Sequence, residues 1–429
     1  MAESPASDHF DEIPPVFKIN LSLPPAERYV ELATIYRERM RALCGLFDEI
    51  IMMISPKIPV QWVHRIARLS LTRLYSREET EELRGISRAT GIDMYLLVCF
   101  NSILDLLMGC TSGGVRVSGN TSGNQKPRML HFRTLDWDMD ALRDLIVQLD
   151  FVRDSDAEEV LATSITYAGF VGVLTGVRKE MSVSLNFRAV HDTSRDFAFY
   201  SNHLLVLLGL RRSISSTLRQ CILPSDSEST NPVYSTLDEI LAKIPSLRTT
   251  AAYLVFCDGR KTVTMEKDYK TAVVRSSSSF ITVANHDQEN NRPSKRNKGG
   301  SHFGLSLVSG EAQDVGDLIA ESHERQRCVQ ERWDNAVRHQ QPAAEPPRDQ
   351  RSSRSSMTLR KRRAEWDDKR TKEQGQLSWE EKHAVVTDME VREWLSTYPV
   401  LNEATHFATV LDPHQGKVAW LRKYPAGSI

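Results

Sequence analysis

The sequence has no stretch of about 18 consecutive apolar residues, so nothing in it reads as a membrane-spanning helix. It has no CxxC pair. Its six cysteines, Cys44, Cys99, Cys110, Cys221, Cys257 and Cys328, are scattered, which argues against a zinc ribbon or a thioredoxin-type site. That spacing fits reduced thiols, most of them small core residues. The chain carries almost no net charge, −1 from 55 basic and 56 acidic residues, which excludes a globally basic nucleic-acid binder. The opening MAESPASDHFDEIPP has neither a basic n-region nor an apolar h-region. No secretory signal is visible, and a cytoplasmic location is the default expectation.

What is present is an ordinary globular composition over 429 residues, enough for one large domain or two to three smaller ones. From Pro25 to about Asp105 the apolar spacing is helical. SREETEELRGISRATG opens on a serine followed by acids, an N-cap signal, and Gly91 offers a stop. IDMYLLVCFNSILDLLMG reads as a buried helix. After Cys110 the character changes to short β-rich runs: RMLHFRTLDWD, IVQLDFVRD, LATSITYAGFVGVLTGV and MSVSLNFRAV. Two helical patterns follow, SNHLLVLLGLRRSISS and STLDEILAKIPSL. The strands TAAYLVFCDG, KTVTMEKD and SSFITVANHD come next, with Asp258-Gly259 as a hairpin turn. Helices, many strands, two helices and more strands predict an α+β layered domain rather than an alternating βαβ fold.

Residues 340–382 are rich in Arg, Gln, Ser and Glu and nearly empty of aliphatic residues, which predicts a disordered insertion. Its RKRR, Arg360 to Arg363, reads either as a solvated run of charge or as an import signal or anionic-surface patch. Order returns with a helix in MEVREWLSTYPVLN and a strand hairpin to the end.

The residue that invites chemistry is Cys110 in MGCTS, where the pattern turns from apolar to polar and a thiol is expected within reach of substrate. A nucleophilic thiol needs a base, a cation and donors aimed at an oxyanion. His131 sits on a strand pattern and reads as packed. A base is available if the Gly109–Cys110 bond is cut, because Cys110 then carries both a thiol and a free α-amine with a reference pKa of about 8. Arg133 and Asp136, three apart in HFRTLDWD, read as a pair that tunes the thiolate and holds the amine, or as a surface ion pair. Asn285 in VANHD reads as an oxyanion donor or a turn residue. Gly169, Gly172 and Gly176 mark close backbone approach.

Taken together these segments resemble the acid ceramidase and N-acylethanolamine-hydrolysing acid amidase family of N-terminal-nucleophile (Ntn) hydrolases. The resemblance runs through PPVFKINLSLPPAERYVEL, FNSILDLLMGCTS, FRTLDWD, TYAGFVGVLTGVRKEMSVSLNFR, VANHD and ERQRCVQERW. It implies an αββα sandwich with a helical N-terminal segment packed on it. Residues 1–24 would be an extension, 25–109 a helical α-chain segment and 110–429 the catalytic β-chain, the two chains staying associated after autocleavage. It implies Cys110 as nucleophile, with Arg133, Asp136, Asn285 and Arg325 in the catalytic set and Trp137 and Asn186 on the substrate. No metal or organic cofactor is needed, and the implied partners are a lipid amide and a membrane touched from one side. The implied reaction is hydrolysis of a ceramide-like amide; the alternatives are an N-acylethanolamine or other linear amide, or a non-catalytic lipid-binding relative. The sequence departs from the family at Phe187, where an acidic residue is usual, and at Ala284 and His286. The family's best-known members are lysosomal.

Overall fold

A computed structural model of the chain describes residues 12–45, 59–103, 109–119, 126–154, 159–188, 196–224, 232–288, 315–341, 380 and 383–428. Nearly all of the charged insertion lies outside them. Two sheets face each other. The larger runs β1 (Val16–Asn20), β4 (Ile146–Val152), β5 (Ala162–Tyr167), β6 (Thr175–Arg178), β7 (Met181–Phe187), β8 (Ala252–Cys257), β9 (Thr262–Lys267), β10 (Ala272–Ser277). The smaller runs β11 (Phe280–Val283), β2 (Gly109–Val117), β3 (Arg128–Asp136), β12 (Thr405–Asp412), β13 (Lys417–Lys423). Only β1 on β4 is parallel; the other paired strands are antiparallel.

The helices are α1 (Val30–Ile35), α2 (Arg37–Ala42), α3 (Val60–Ser70), α4 (Arg77–Thr90), α5 (Met94–Ile103), α6 (Asp196–Leu207), α7 (Ile214–Ile222), α8 (Leu237–Lys243), α9 (Val315–Gln340) and α10 (Asp388–Leu395). On the outside of the large sheet α7 covers β6 and β7; on the outside of the small one α9 covers β11 and β2, and α10 covers β3 and β12. The order of layers is αββα, as the resemblance implies.

Strand periodicity explains how one strand serves two layers. In β7, Met181, Val183 and Leu185 belong to the apolar cluster that includes Leu218 and Ile222 of α7. The alternate residues Ser182, Ser184 and Asn186 face the small sheet. There Ser182 and Ser184 flank His131 of β3 at 2.9 Å each, and Asn186 Oδ1 accepts from Ser112 of β2 at 2.6 Å. The outer face of the small sheet is apolar again, with Val115, Val117, Leu130 and Phe132 against Trp333 and Trp394. Beside the site, then, the two sheets meet across a polar seam, and apolar packing holds the helices outside.

Local signals behaved as their physics requires. Ser76 caps α4 by accepting from Glu79 N, and Gly91 ends it at φ +74°. Asp258-Gly259 turns between β8 and β9, with Gly259 at φ +86°. The run read as one helix, SNHLLVLLGLRRSISS, is two: Gly209 at φ +64° breaks it, and Ser213 caps α7. Strands β1, β2 and β10 were not legible. β2 reads CTSGGVR, poor in β-formers because its two faces meet tight neighbours. A Cβ on Gly114 would sit 1.8 Å from Thr262 Oγ1, and one on Gly113 2.2 Å from Ile281 O.

The buried histidines make stability depend on acid. Burial lowers the pKa of His131 to about 3, helped by Arg133, and that of His406 to about 3, helped by Arg143. Unfolded, each titrates near 6.5. The unfolded chain therefore binds more protons between these values, and the stability each contributes is present above about pH 6.5 and lost as pH falls toward 3. Burial raises the Glu79 and Asp136 carboxyls, which act in the opposite sense. The comparison must therefore be made at a single site. His406→Gln is expected to reduce the slope of unfolding free energy against pH by about 1.4 kcal/mol per pH unit between roughly pH 4 and 6. Urea unfolding of both proteins across that range measures it, and parallel slopes would contradict it.

Candidate active site

Gly109 and Cys110 are the first two residues of β2, paired with Asp136 and Leu135 of β3. Pleating turns Cys110 toward the large sheet. There its side chain is fully buried rather than reachable from solvent. Arg133, also turned inward, brings Nη2 to 3.2 Å from Cys110 Sγ and donates from the same nitrogen to Leu185 O at 2.7 Å. Its Nη1 donates to Leu174 O and Thr175 Oγ1 of the glycine-rich block. The guanidinium is thus aimed by main-chain oxygens of the opposite sheet, which leaves no slack in where the charge falls. Burial pushes the Cys110 thiol up, and Arg133 opposes it.

The nitrogen of Cys110 is held separately. It donates to Asn285 Oδ1 at 2.8 Å, and Arg325 Nη2 donates to the same oxygen at 3.0 Å. Both are donors only, so the oxygen of the Asn285 amide must face them; its Nδ2 donates to Phe187 O at 2.8 Å. Arg325 Nε also lies 3.6 Å from Asp136 Oδ2, and Asp136 Oδ1 accepts from Thr405 at 2.9 Å. Burial raises the Asp136 carboxyl, against Arg325.

Arg133 and Asp136 therefore act from opposite faces of β3, as a three-residue offset in a strand dictates. Arg133 meets the sulfur between the sheets; Asp136 joins Arg325 on the α9 side. The site draws Cys110, Arg133, Asp136, Asn285 and Arg325 together from β2, β3, the end of β11 and α9. Asn186 lies at its edge, its Nδ2 donating to Val283 O and Ala284 O at 3.3 and 3.4 Å. Trp137 is buried between Tyr167 and His406. A cleft of about 220 Å³ opens beside Gly109, lined among others by Asp136, Trp137, Glu321, Arg325 and Asn402. Among the described residues no three His, Cys, Asp or Glu side chains are grouped to hold a metal. The holders Thr175, Ser322 and Thr405 were not singled out from sequence. Ser322 alone left a signal, standing three residues before Arg325 on one helix face.

Residues 12–75 match the family model described as the beta subunit of N-acylethanolamine-hydrolyzing acid amidase. An N-acylethanolamine-hydrolyzing acid amidase of Caenorhabditis elegans is 32% identical over 190 residues, 42% of this chain and 49% of that protein. Over part of its length the chain is similar to N-acylethanolamine-hydrolyzing acid amidases and acid ceramidases. The acid ceramidase of Heterocephalus glaber is 28% identical over 189 residues, 41% of this chain and 45% of that protein. The chain thus spans about half the length of the curated acid amidases and ceramidases it matches. A solved structure of the Caenorhabditis elegans amidase ortholog has a TM-score of 0.40 at 18% identity, covering 71% of this chain and 93% of that one.

Proposed function

We propose that the protein is an amidohydrolase of fatty N-acyl lipids that works through Cys110 as an N-terminal nucleophile. The observation that carries this reading is that the thiol and the nitrogen of one residue are each held by a dedicated partner, Arg133 on Sγ and Asn285 on N. A cysteine that only filled space would need neither.

In the self-processing step Sγ attacks the Gly109 carbonyl carbon, the C–N bond to Cys110 breaks, and the thiol proton passes to the departing nitrogen. Water then cleaves the thioester, leaving a Gly109 carboxylate, a free thiol and a free α-amine. The amine is the base that Cys110 lacks before scission, and Asn285 Oδ1 already accepts from that nitrogen. In turnover the acyl group moves to Sγ, the substrate's amine leaves with the proton, and water releases the fatty acid. Arg133 favours the thiolate; Asp136 and Arg325 set the far side, where the Gly109 cleft offers room. On α3, Trp62, Ile66 and Leu69 are exposed at helical spacing beside Arg65 and Arg68, a face suited to a lipid surface. The names of the relatives suggest an N-acylethanolamine and a ceramide as the two substrates to compare.

The decisive experiment is to incubate the purified protein at several pH values with each lipid. Mass spectrometry then looks for a new N-terminus at Cys110 and for released fatty acid. Both are expected; an intact chain that releases no fatty acid would overturn the reading. Asn285 Nδ2 is already given to Phe187 O, so the expected oxyanion-donor role is replaced by that of acceptor for the Cys110 nitrogen; Asn285→Ala removes that acceptor and is expected to lower kcat on the order of a hundredfold, with KM little changed. Turnover equal to wild type would reduce Asn285 to a turn residue.

A further inference from the structure

Two contacts from α9 reach Asn285 itself, and only one of them touches the side chain. Arg325 holds the Asn285 amide oxygen. One turn earlier, Ser322 Oγ accepts from Asn285 N at 2.6 Å and lies 2.8 Å from His286 Nδ1. Ser322 is fully buried. A hydroxyl has one proton. With its oxygen taken by the Asn285 N–H, that proton is best placed on His286 Nδ1, which leaves the ring's own proton on Nε2. The ring stacks on His323 at 3.6 Å between centroids, which restricts its rotation. Next along, Asp287 is clamped by Arg188 through two 2.7 Å contacts and by Tyr253.

We propose that Ser322 is a positioning residue for the nucleophile: it fixes the backbone of Asn285, with His286 Nδ1 as the acceptor that orients its hydroxyl, so that Oδ1 meets the nitrogen of Cys110. The proposal rests on the amidase reading for its consequence in rate, and on geometry alone for the anchoring. Burial and the neighbouring His323 and Arg325 lower His286 to about 4, so the ring stays neutral and able to accept. Asp287, which works the other way, is occupied by Arg188.

The test uses the full chain labelled with 15N at histidine and asparagine. In wild type, the His286 Nδ1 shift should be that of an unprotonated, hydrogen-bonded nitrogen, and the Asn285 amide should be protected from exchange. Ser322→Ala should speed that exchange at least about tenfold and free His286 Nδ1. It should slow scission at Gly109–Cys110 and lower kcat about tenfold, with KM within about twofold. As a second variant, His286→Asn, whose Oδ1 can replace Nδ1, should stay within about twofold of wild type, while His286→Leu should be several-fold slower. Unchanged exchange at Asn285, equal rates for the Asn and Leu variants, or faster exchange with unaltered scission and kcat would each overturn the proposal. If wild type neither splits nor turns over, the amidase reading fails, and the exchange and nitrogen shifts still decide whether Ser322 anchors Asn285.

Discussion

Replacing Cys110 with alanine is expected to leave the chain as one 48.7 kDa band under every condition in which the wild type splits. It is also expected to remove amide hydrolysis completely. Alanine keeps the strand, since Cys110 pairs with Leu135 through its backbone and Sγ is the only heavy atom lost. What disappears is the atom proposed to attack Gly109 and later the substrate. Among the described residues Cys99, Cys221 and Cys257 are buried and burial raises their thiols, so none of these three is poised to take over. Time courses on denaturing gels, with N-terminal sequencing of any fragment, make the measurement. A variant that splits at the same bond and rate as wild type would mean that another protease does the cutting.

Glu82→Ala is expected to be the most destabilising single change in the helical front. Glu82 is fully buried in α4 and accepts from Arg28 Nη1 at 3.1 Å and from both Nη atoms of Arg219 at 2.6 and 2.7 Å. Arg28 is also held by Leu21 O and Leu23 O, Arg219 by Val171 O, and Ser216 donates to neighbouring Glu79. Alanine would leave two buried guanidinium groups short of countercharge, a loss of about 3–5 kcal/mol. Glu82→Gln, which keeps an acceptor oxygen, should lose less. Because Arg28 and Glu82 precede Cys110 while Arg219 follows it, the same change should loosen the two pieces after scission. Urea unfolding measures the first effect and size-exclusion chromatography of the split protein the second. A loss below about 1 kcal/mol would show that water replaces the carboxylate.

How much of this could be read in advance differs by element. α4 was legible to the residue, because Ser76, the acids after it and Gly91 act within one turn of their own positions. To within a few residues so were β3, β7 and β8: Met181, Val183 and Leu185 recur with the strand's period in β7, and β8 is a short apolar run, AYLVFC. β2 was not, although it carries Cys110. Its glycines weaken the strand signal, and Gly113 and Gly114 are required there by the closeness of Ile281 and Thr262 from other strands. β1 escaped for a related cause: its partner, β4, lies more than a hundred residues away.

The site divides in the same way. Residue type and order along the chain, in MGCTS, FRTLDWD and VANHD, nominated Cys110, Arg133, Asp136 and Asn285, because a thiol, a guanidinium, a carboxylate and an amide carry their chemistry wherever they stand; Arg325 was nominated only by the family resemblance of ERQRCVQERW. Which of them touches which was decided by the fold alone. The pleat of β3 sends Arg133 to the sulfur and Asp136 to Arg325; the seam between sheets buries the thiol; and α9, from beyond residue 314, supplies Ser322 and Arg325 to the loop after β11. A hydrogen bond depends on position to a fraction of an ångström, and only packing of distant segments can set that.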